Sequence, residues 1–296
     1  METKRQQELL MIVRLSIHQW YPRKFDKKAT RDLASLHGVS ADRAGRFNKI
    51  LVDLESIKPL QQRLRKLRDD HYAMTAPWAD GGERVLPAGL YFDYVAMVRD
   101  AEIDIARLAD DYVIQYSSEV DRARTELNGL FNEADYPPAS ELRERFGVGT
   151  KFEPLPNPED VRVWGIGEEA AEEIRDQVIA SQQTAVKEAQ DNVVSQVTER
   201  AREFISKVRK YDAQVSEDVK GARLYDSALT NLSDVVGLVL QGLNITGDQE
   251  LQKLAEDLSK EIHSLNADKL KNSQPTREKK TEAVEKIIGK FSGVYG

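Results

Sequence analysis

Apolar and polar positions first alternate near the N-terminus, where Val13, Leu15 and Ile17 interleave with Arg14, Ser16 and His18. A period of two predicts a half-buried strand over Ile12 to Tyr21. Pro22 ends it, Asp26 is placed to cap a short helix running to Leu36, and Gly38 suits that helix's exit. Residues 44–52 read either as the start of a helix or as a second strand, and the reading favoured is a strand that pairs with the first. From Leu54 to Met74 the period lengthens to that of a helix, with Ile57, Leu60, Leu64 and Leu67 on one face and Pro59 near the first turn. Thr75 to Pro87 reads as a loop, punctuated by Pro77, the Gly81-Gly82 pair and Pro87.

Two much longer periodic segments follow. In the first, Tyr94, Val98, Ala101, Ile105, Leu108, Tyr112, Tyr116, Val120, Ala123, Leu127 and Leu130 recur at steps of three and four, with one slip in register near Tyr116. At 1.5 Å per residue this predicts a helix on the order of 60 Å long. The second seam runs through Ala171, Ile174, Val178, Val186, Ala189, Val193, Val197, Ala201, Phe204, Val208, Tyr211 and Val215. Between them lies a proline-rich connector, residues 132–166, with a short helix expected at Glu141 to Phe146 and a strand at Val161 to Trp164. Two helices of matched length most simply fold back on each other. Three further amphipathic segments, Leu224 to Leu243, Asp248 to Leu265 and Thr276 to Phe291, predict a small bundle. The expected fold is mainly α: an α+β head (residues 1–90), a long antiparallel coiled-coil-like hairpin (residues 91–215) and a C-terminal helical bundle (residues 216–296).

Composition narrows the functional classes. The 296 residues include no cysteine, which removes disulfides, thiolate nucleophiles and cysteine-ligated metal centres. The apolar stretch Leu9 to Val13 is interrupted by Arg14, too short for a signal peptide or a membrane span, and the run Val235 to Leu240 is short as well. A cytoplasmic protein is therefore expected. Charge is divided unevenly. Residues 1–90 carry 17 Lys and Arg against 11 Asp and Glu, leaving 26 against 39 for the rest of a chain whose net charge is -7. A basic head beside an acidic body suggests two surfaces with different partners.

Candidate chemistry is sparse. His18, His37, His71 and His263 fall in four separate predicted elements without the paired spacing of a helical metal site. Gly147-Val148-Gly149-Thr150-Lys151 and Gly165-Ile166-Gly167 lack the order and the strand-to-helix setting of a phosphate loop. Acidic neighbours such as Asp110-Asp111 and Glu168-Glu169 are expected by chance among 50 carboxylates and read as solvated helix faces. No cofactor, metal or small-molecule substrate is indicated, and a non-enzymatic protein is expected. Two places remain. Arg63, Arg65, Lys66 and Arg68, near His71, Tyr72 and Trp78, form a candidate nucleic-acid contact. Trp78, Asp80, Gly82 and Arg84 concentrate in one turn suited to structural anchoring or to a partner contact.

Several stretches also carry a resemblance: Trp20, Arg23-Lys24, Asp26-Lys27-Lys28, Phe47-Asn48-Lys49, the series Thr75, Pro77, Trp78, Asp80, Gly82, Arg84, Leu86 and Pro87, then Asp135-Tyr136-Pro137, Pro154-Leu155-Pro156 and Leu243 to Asp248. In this order they resemble a family of uncharacterised proteins of tailed phages and integrating mobile elements of bacteria. Members are often encoded near a MoxR-type AAA ATPase and a von Willebrand A-domain protein, so the resemblance implies an accessory role beside a remodelling machine and supplies no catalytic residues. Three readings stand: a scaffold or adaptor that binds a protein partner or itself, a nucleic-acid-binding protein of phage replication, recombination or packaging, and a virion structural component.

Overall fold

A computed structural model of the chain describes residues 10–78, 82–156, 168–216, 227–263 and 265–295. In chain order the main elements are β1 (Leu10–His18), β2 (Arg23–Phe25), α1 (Lys27–Leu36), α2 (Ala41–Ala44), β3 (Asn48–Ile50), α3 (Leu54–Met74), β4 (Ala76–Trp78), β5 (Glu83–Pro87), α4 (Tyr91–Leu127), α5 (Ala139–Leu142), β6 (Gly147–Pro154), α6 (Glu168–Ser216), α7 (Ser227–Leu238), α8 (Gln249–Ile262), α9 (Ala267–Asn272) and α10 (Gln274–Tyr295). The protein is mainly helical, with a small N-terminal sheet. Its strands form one sheet of order β4-β5-β1-β6 and a two-stranded ribbon, β2-β3.

The chain divides into two compact units, each assembled from distant segments. The first comprises Met1–Arg14, His71–Tyr94 and Lys151–Gly296; the second comprises Leu15–Asp70 and Val95–Thr150. This division differs from a head, an arm and a tail in sequence order, because the chain leaves and re-enters each unit through continuous strands and helices.

In the first unit β5 lies between β4 and β1, pairing antiparallel with both. Thr75 to Pro87, expected to be a loop, is largely this β4-β5 hairpin. Its Pro77 is tolerated because β4 is an edge strand, where a missing N–H costs no ladder bond. The long helix α6 packs on β4, α7 and α10, while α8 packs on α7 and α10. The buried residues Ala189, Val193, Val197, Ala201, Phe204 and Val208 mark the covered face of α6. Asp248 caps α8 by accepting from the amides of Glu250 and Leu251. Arg277 is almost fully buried: its guanidinium binds Asp212, donates to the Leu270 and Lys271 carbonyls at 2.6 and 3.0 Å, and lies over the Tyr211 ring.

The second unit is built on the apolar stripe of α3 and the inward face of α4. Ile57, Leu60, Leu64 and Leu67 are buried on α3, and Val98, Ala101, Ile105, Ala109, Tyr112 and Tyr116 on α4. Trp20 packs edge-on to Tyr116, and Tyr112 meets Phe146 in the same manner. Polar ends are satisfied through backbone carbonyls: Tyr116 donates to Pro137 at 3.1 Å and Tyr136 to Leu51 at 2.9 Å. The seams of α4 and α6 are both largely buried.

Two further expectations change. The strand at Asn48–Ile50 pairs with Arg23–Phe25, not with the first strand. The connector contains a strand, β6, beside β1, in addition to the helical turn at Ala139–Leu142; its expected strand at Val161 to Trp164 lies outside the described residues.

Candidate functional site

The β4-β5 hairpin shows what its conspicuous residues do. Trp78 is buried at the end of β4, beside a groove of about 290 Å³ whose lining includes Pro156, Ile174, Val178 and Gln182. Gly82 adopts φ 76° and is exposed, a left-handed position that favours glycine. Arg84 reaches the C-terminal end of α3, where its Nε donates to the Thr75 hydroxyl and its Nη2 to the Thr75 carbonyl, both at 2.6 Å. Its guanidinium lies 4.7 Å from the Tyr72 ring centre. A cation against the last carbonyls of a helix satisfies orphan acceptors and opposes the negative end of the helix dipole. Burial pushes the Arg84 pKa below the usual arginine range, and no carboxylate pairs with it among the described residues. Asp80 lies outside the described residues.

Next to Arg84, the Nδ1 of buried His71 shares a 2.8 Å hydrogen bond with the Tyr94 hydroxyl. Desolvation, with a smaller contribution from the Arg84 charge, lowers the His71 pKa to about 4. Burial raises that of Tyr94. Both groups are therefore neutral near pH 7, which suits a sealed polar cluster that locks β5 to the end of α3.

The four basic residues of α3 do not form one patch. A step of 100° per residue places Arg63 and Lys66 on one side of the buried stripe and Arg65 and Arg68 on the other. Arg63 binds Asp104 at 2.9 Å and Lys66 binds Asp70 at 3.0 Å. Two of the four charges are thus already neutralised within the fold.

The surface that the sequence reading missed lies between Tyr21 and Ile50. Here Tyr21, Phe25, Leu33, Leu36, Val39, Phe47 and Ile50 are all exposed. They belong to a β2-α1-α2-β3 module held by an internal ion pair. Lys49, 5 % exposed, binds Asp135 at 2.6 Å, Asp26 at 3.4 Å and the Leu130 carbonyl at 2.8 Å. Asp26 in turn accepts from the amides of Ala29 and Lys28 at the start of α1, and these bonds together with Lys49 hold its pKa below the usual carboxylate range. On α1 only Thr30 and Ala34 are buried, leaving Leu33 and Leu36 outward, the latter 78 % exposed. Val39 follows directly and is also exposed.

Three aliphatic side chains on one short segment, Leu33, Leu36 and Val39, are thus exposed. Among the described residues no group of three or more His, Asp or Glu is placed to hold a metal ion, and no helix is long and apolar enough to cross a membrane. No protein-family model matches the chain, and neither does any curated protein or solved structure.

Proposed function

We propose that the protein is a non-enzymatic interaction protein, a scaffold or adaptor, that engages a partner protein through the outward edge of α1. The observation that carries this reading is the exposure of Leu33, Leu36 and Val39 together. Full burial of such a side chain is worth about 1.5–3 kcal/mol, and the part still exposed on Leu33, Leu36 and Val39 is available for burial against another chain. The neighbouring exposed cations, Arg31 and Arg43, favour a partner segment that combines apolar side chains with acidic ones. The resemblance to the phage and mobile-element family makes a MoxR-type AAA ATPase, with its von Willebrand A-domain companion, the first partner to test.

The test is co-purification of the tagged full chain with that ATPase, comparing wild type with a Leu33→Gln, Leu36→Gln double variant. Both glutamines keep α1 helical and leave Thr30 and Ala34 in place. The reading expects capture by wild type and its loss in the double variant at unchanged thermal stability. Equal capture by both proteins, or none by either, would refute it.

A further inference from the structure

Elsewhere in the fold many cations are matched by the protein's own carboxylates, as in Arg14–Glu83, Arg107–Asp111, Arg143–Asp110 and Arg209–Glu285. The β2-α1-α2-β3 module departs from this. Its Arg23, Lys24, Lys27, Lys28, Arg31, Arg43 and Arg46 have no carboxylate partner among the described residues, and Lys49 alone is paired. The acidic residues of the same segment are Asp26, already held by Lys49 and the α1 amides, Asp32 and Asp42. In a chain of net charge -7, this is a concentrated positive surface.

The register of the ribbon says where the aromatic groups stand within it. Arg23 lies opposite Ile50, Lys24 opposite Lys49 and Phe25 opposite Asn48. Opposed residues of an antiparallel pair share a face, and successive residues alternate. With Lys49 turned inward to its ion pairs, Arg23, Phe25, Asn48 and Ile50 take the other face, and all four are exposed. The Arg46 guanidinium lies 5.5 Å from the Phe25 ring centre. The outer face therefore presents an aromatic ring, the Arg46 cation near it, the Arg23 cation and a side-chain amide, within a module whose other exposed cations also lack carboxylate partners.

We propose that this outer face, centred on Phe25, Arg46 and Arg23, is a binding platform for single-stranded nucleic acid. Phosphates match the unpaired cations, and an unstacked base has the flat face that a ring or a guanidinium plane accepts. A duplex keeps its base faces stacked inside the helix, so it uses the charge alone. An acidic polypeptide or an anionic membrane likewise matches the charge and leaves Phe25 without a stacking partner. The platform is centred on the β2-β3 ribbon rather than on the α1 leucines, and its test has a different readout.

The experiment is fluorescence anisotropy of the full chain with a dye-labelled oligothymidylate of about 20 nucleotides, long enough for a groove that takes 4–16. Expected is binding at about 50 mM salt that weakens towards about 200 mM, with a log–log slope near -3 if about four phosphates are neutralised. Phe25→Ala should weaken binding about tenfold, in the range found for loss of one stacking contact, whereas Phe25→Trp should preserve it. An Arg23→Glu, Arg46→Glu variant should abolish it, and Arg65→Glu on α3 should leave it unchanged. Circular dichroism confirms that each exposed variant is folded. Absence of binding at low salt would overturn the proposal. So would Phe25→Ala binding as tightly as wild type, or duplex DNA, polyglutamate or phosphatidylserine vesicles competing as well as the oligonucleotide.

Discussion

Replacing Arg277 with methionine removes the best-connected buried charge of the first unit while keeping most of its aliphatic volume. Arg277 is 3 % exposed. The substitution breaks its ion pair with Asp212 and frees the carbonyls of Leu270 and Lys271, the last turn of α9. A helix of six residues has no stability of its own, so α9 depends on this cap. Breaking a buried ion pair from one side costs about 3–5 kcal/mol. Asp212 retains 27 % side-chain exposure and can be rehydrated, which places the cost near the lower end, about 3 kcal/mol. For a unit of this size that corresponds to a fall in Tm of about 6–12 °C. Thermal unfolding gives the total, and hydrogen exchange read by mass spectrometry locates it: the amides of α9 should lose protection before those of α8. In a double-mutant cycle, Asp212→Asn should recover at least about 1 kcal/mol of the Arg277→Met loss. A Tm within about 2 °C of wild type, a change of at most about 1 kcal/mol, with α9 still protected, would refute the assignment of Arg277 as the cap.

Other predictions concern the hairpin and its polar cluster. The unfolded chain protonates His71 near 6.5 and the folded protein near 4, so between these values the unfolded state binds more protons. Stability should be full above about pH 6.5, fall by roughly 3 kcal/mol as the pH drops to about 4, and level off below. Urea midpoints across this window should show the slope, and His71→Gln should flatten it. Gly82→Ala, at a left-handed position open to solvent, should cost about 1 kcal/mol through backbone conformation alone, read as a shift in the urea midpoint, with Gly82→Asn costing less.

Much of the fold could be read from local pattern. The alternation around Val13, Leu15 and Ile17, the Asp26 cap, and the helices beginning at Leu54, Tyr91 and Gln249 all follow from signals contained within about ten residues. What could not be read depends on partners far along the chain. Ala76-Pro77-Trp78 has the composition of a loop and becomes a strand because β5 offers it an edge; the glycine-rich β6 becomes one because β1 does. Asn48–Ile50 has strand character in either pairing, and Lys49 chooses between them by reaching Asp26 and Asp135. Matched length suggested that α4 and α6 pair, yet periodicity reports only that a face is buried, never by what. The same limit governed the sites. Arg63, Arg65, Lys66 and Arg68 looked like a patch in sequence because they are neighbours, and a helix distributes neighbours around its axis. The cations from Arg23 to Arg46 are spread over β2, α1, α2 and the loop before β3, and only the fold shows that they lack carboxylate partners. Trp78 is buried at the end of β4, and Arg84 donates to the Thr75 hydroxyl and carbonyl.

The central claim is that the outward edge of α1 holds a partner protein. Its most direct measurement is isothermal titration of the full chain with the purified MoxR-type ATPase, repeated with Leu33→Gln, Leu36→Gln. Wild type should bind with a negative heat-capacity change, the mark of apolar burial, and the variant at least about tenfold more weakly, since burying what the two leucines expose is worth over about 1.4 kcal/mol. Binding of equal strength by both proteins, or no heat change with either, would contradict it.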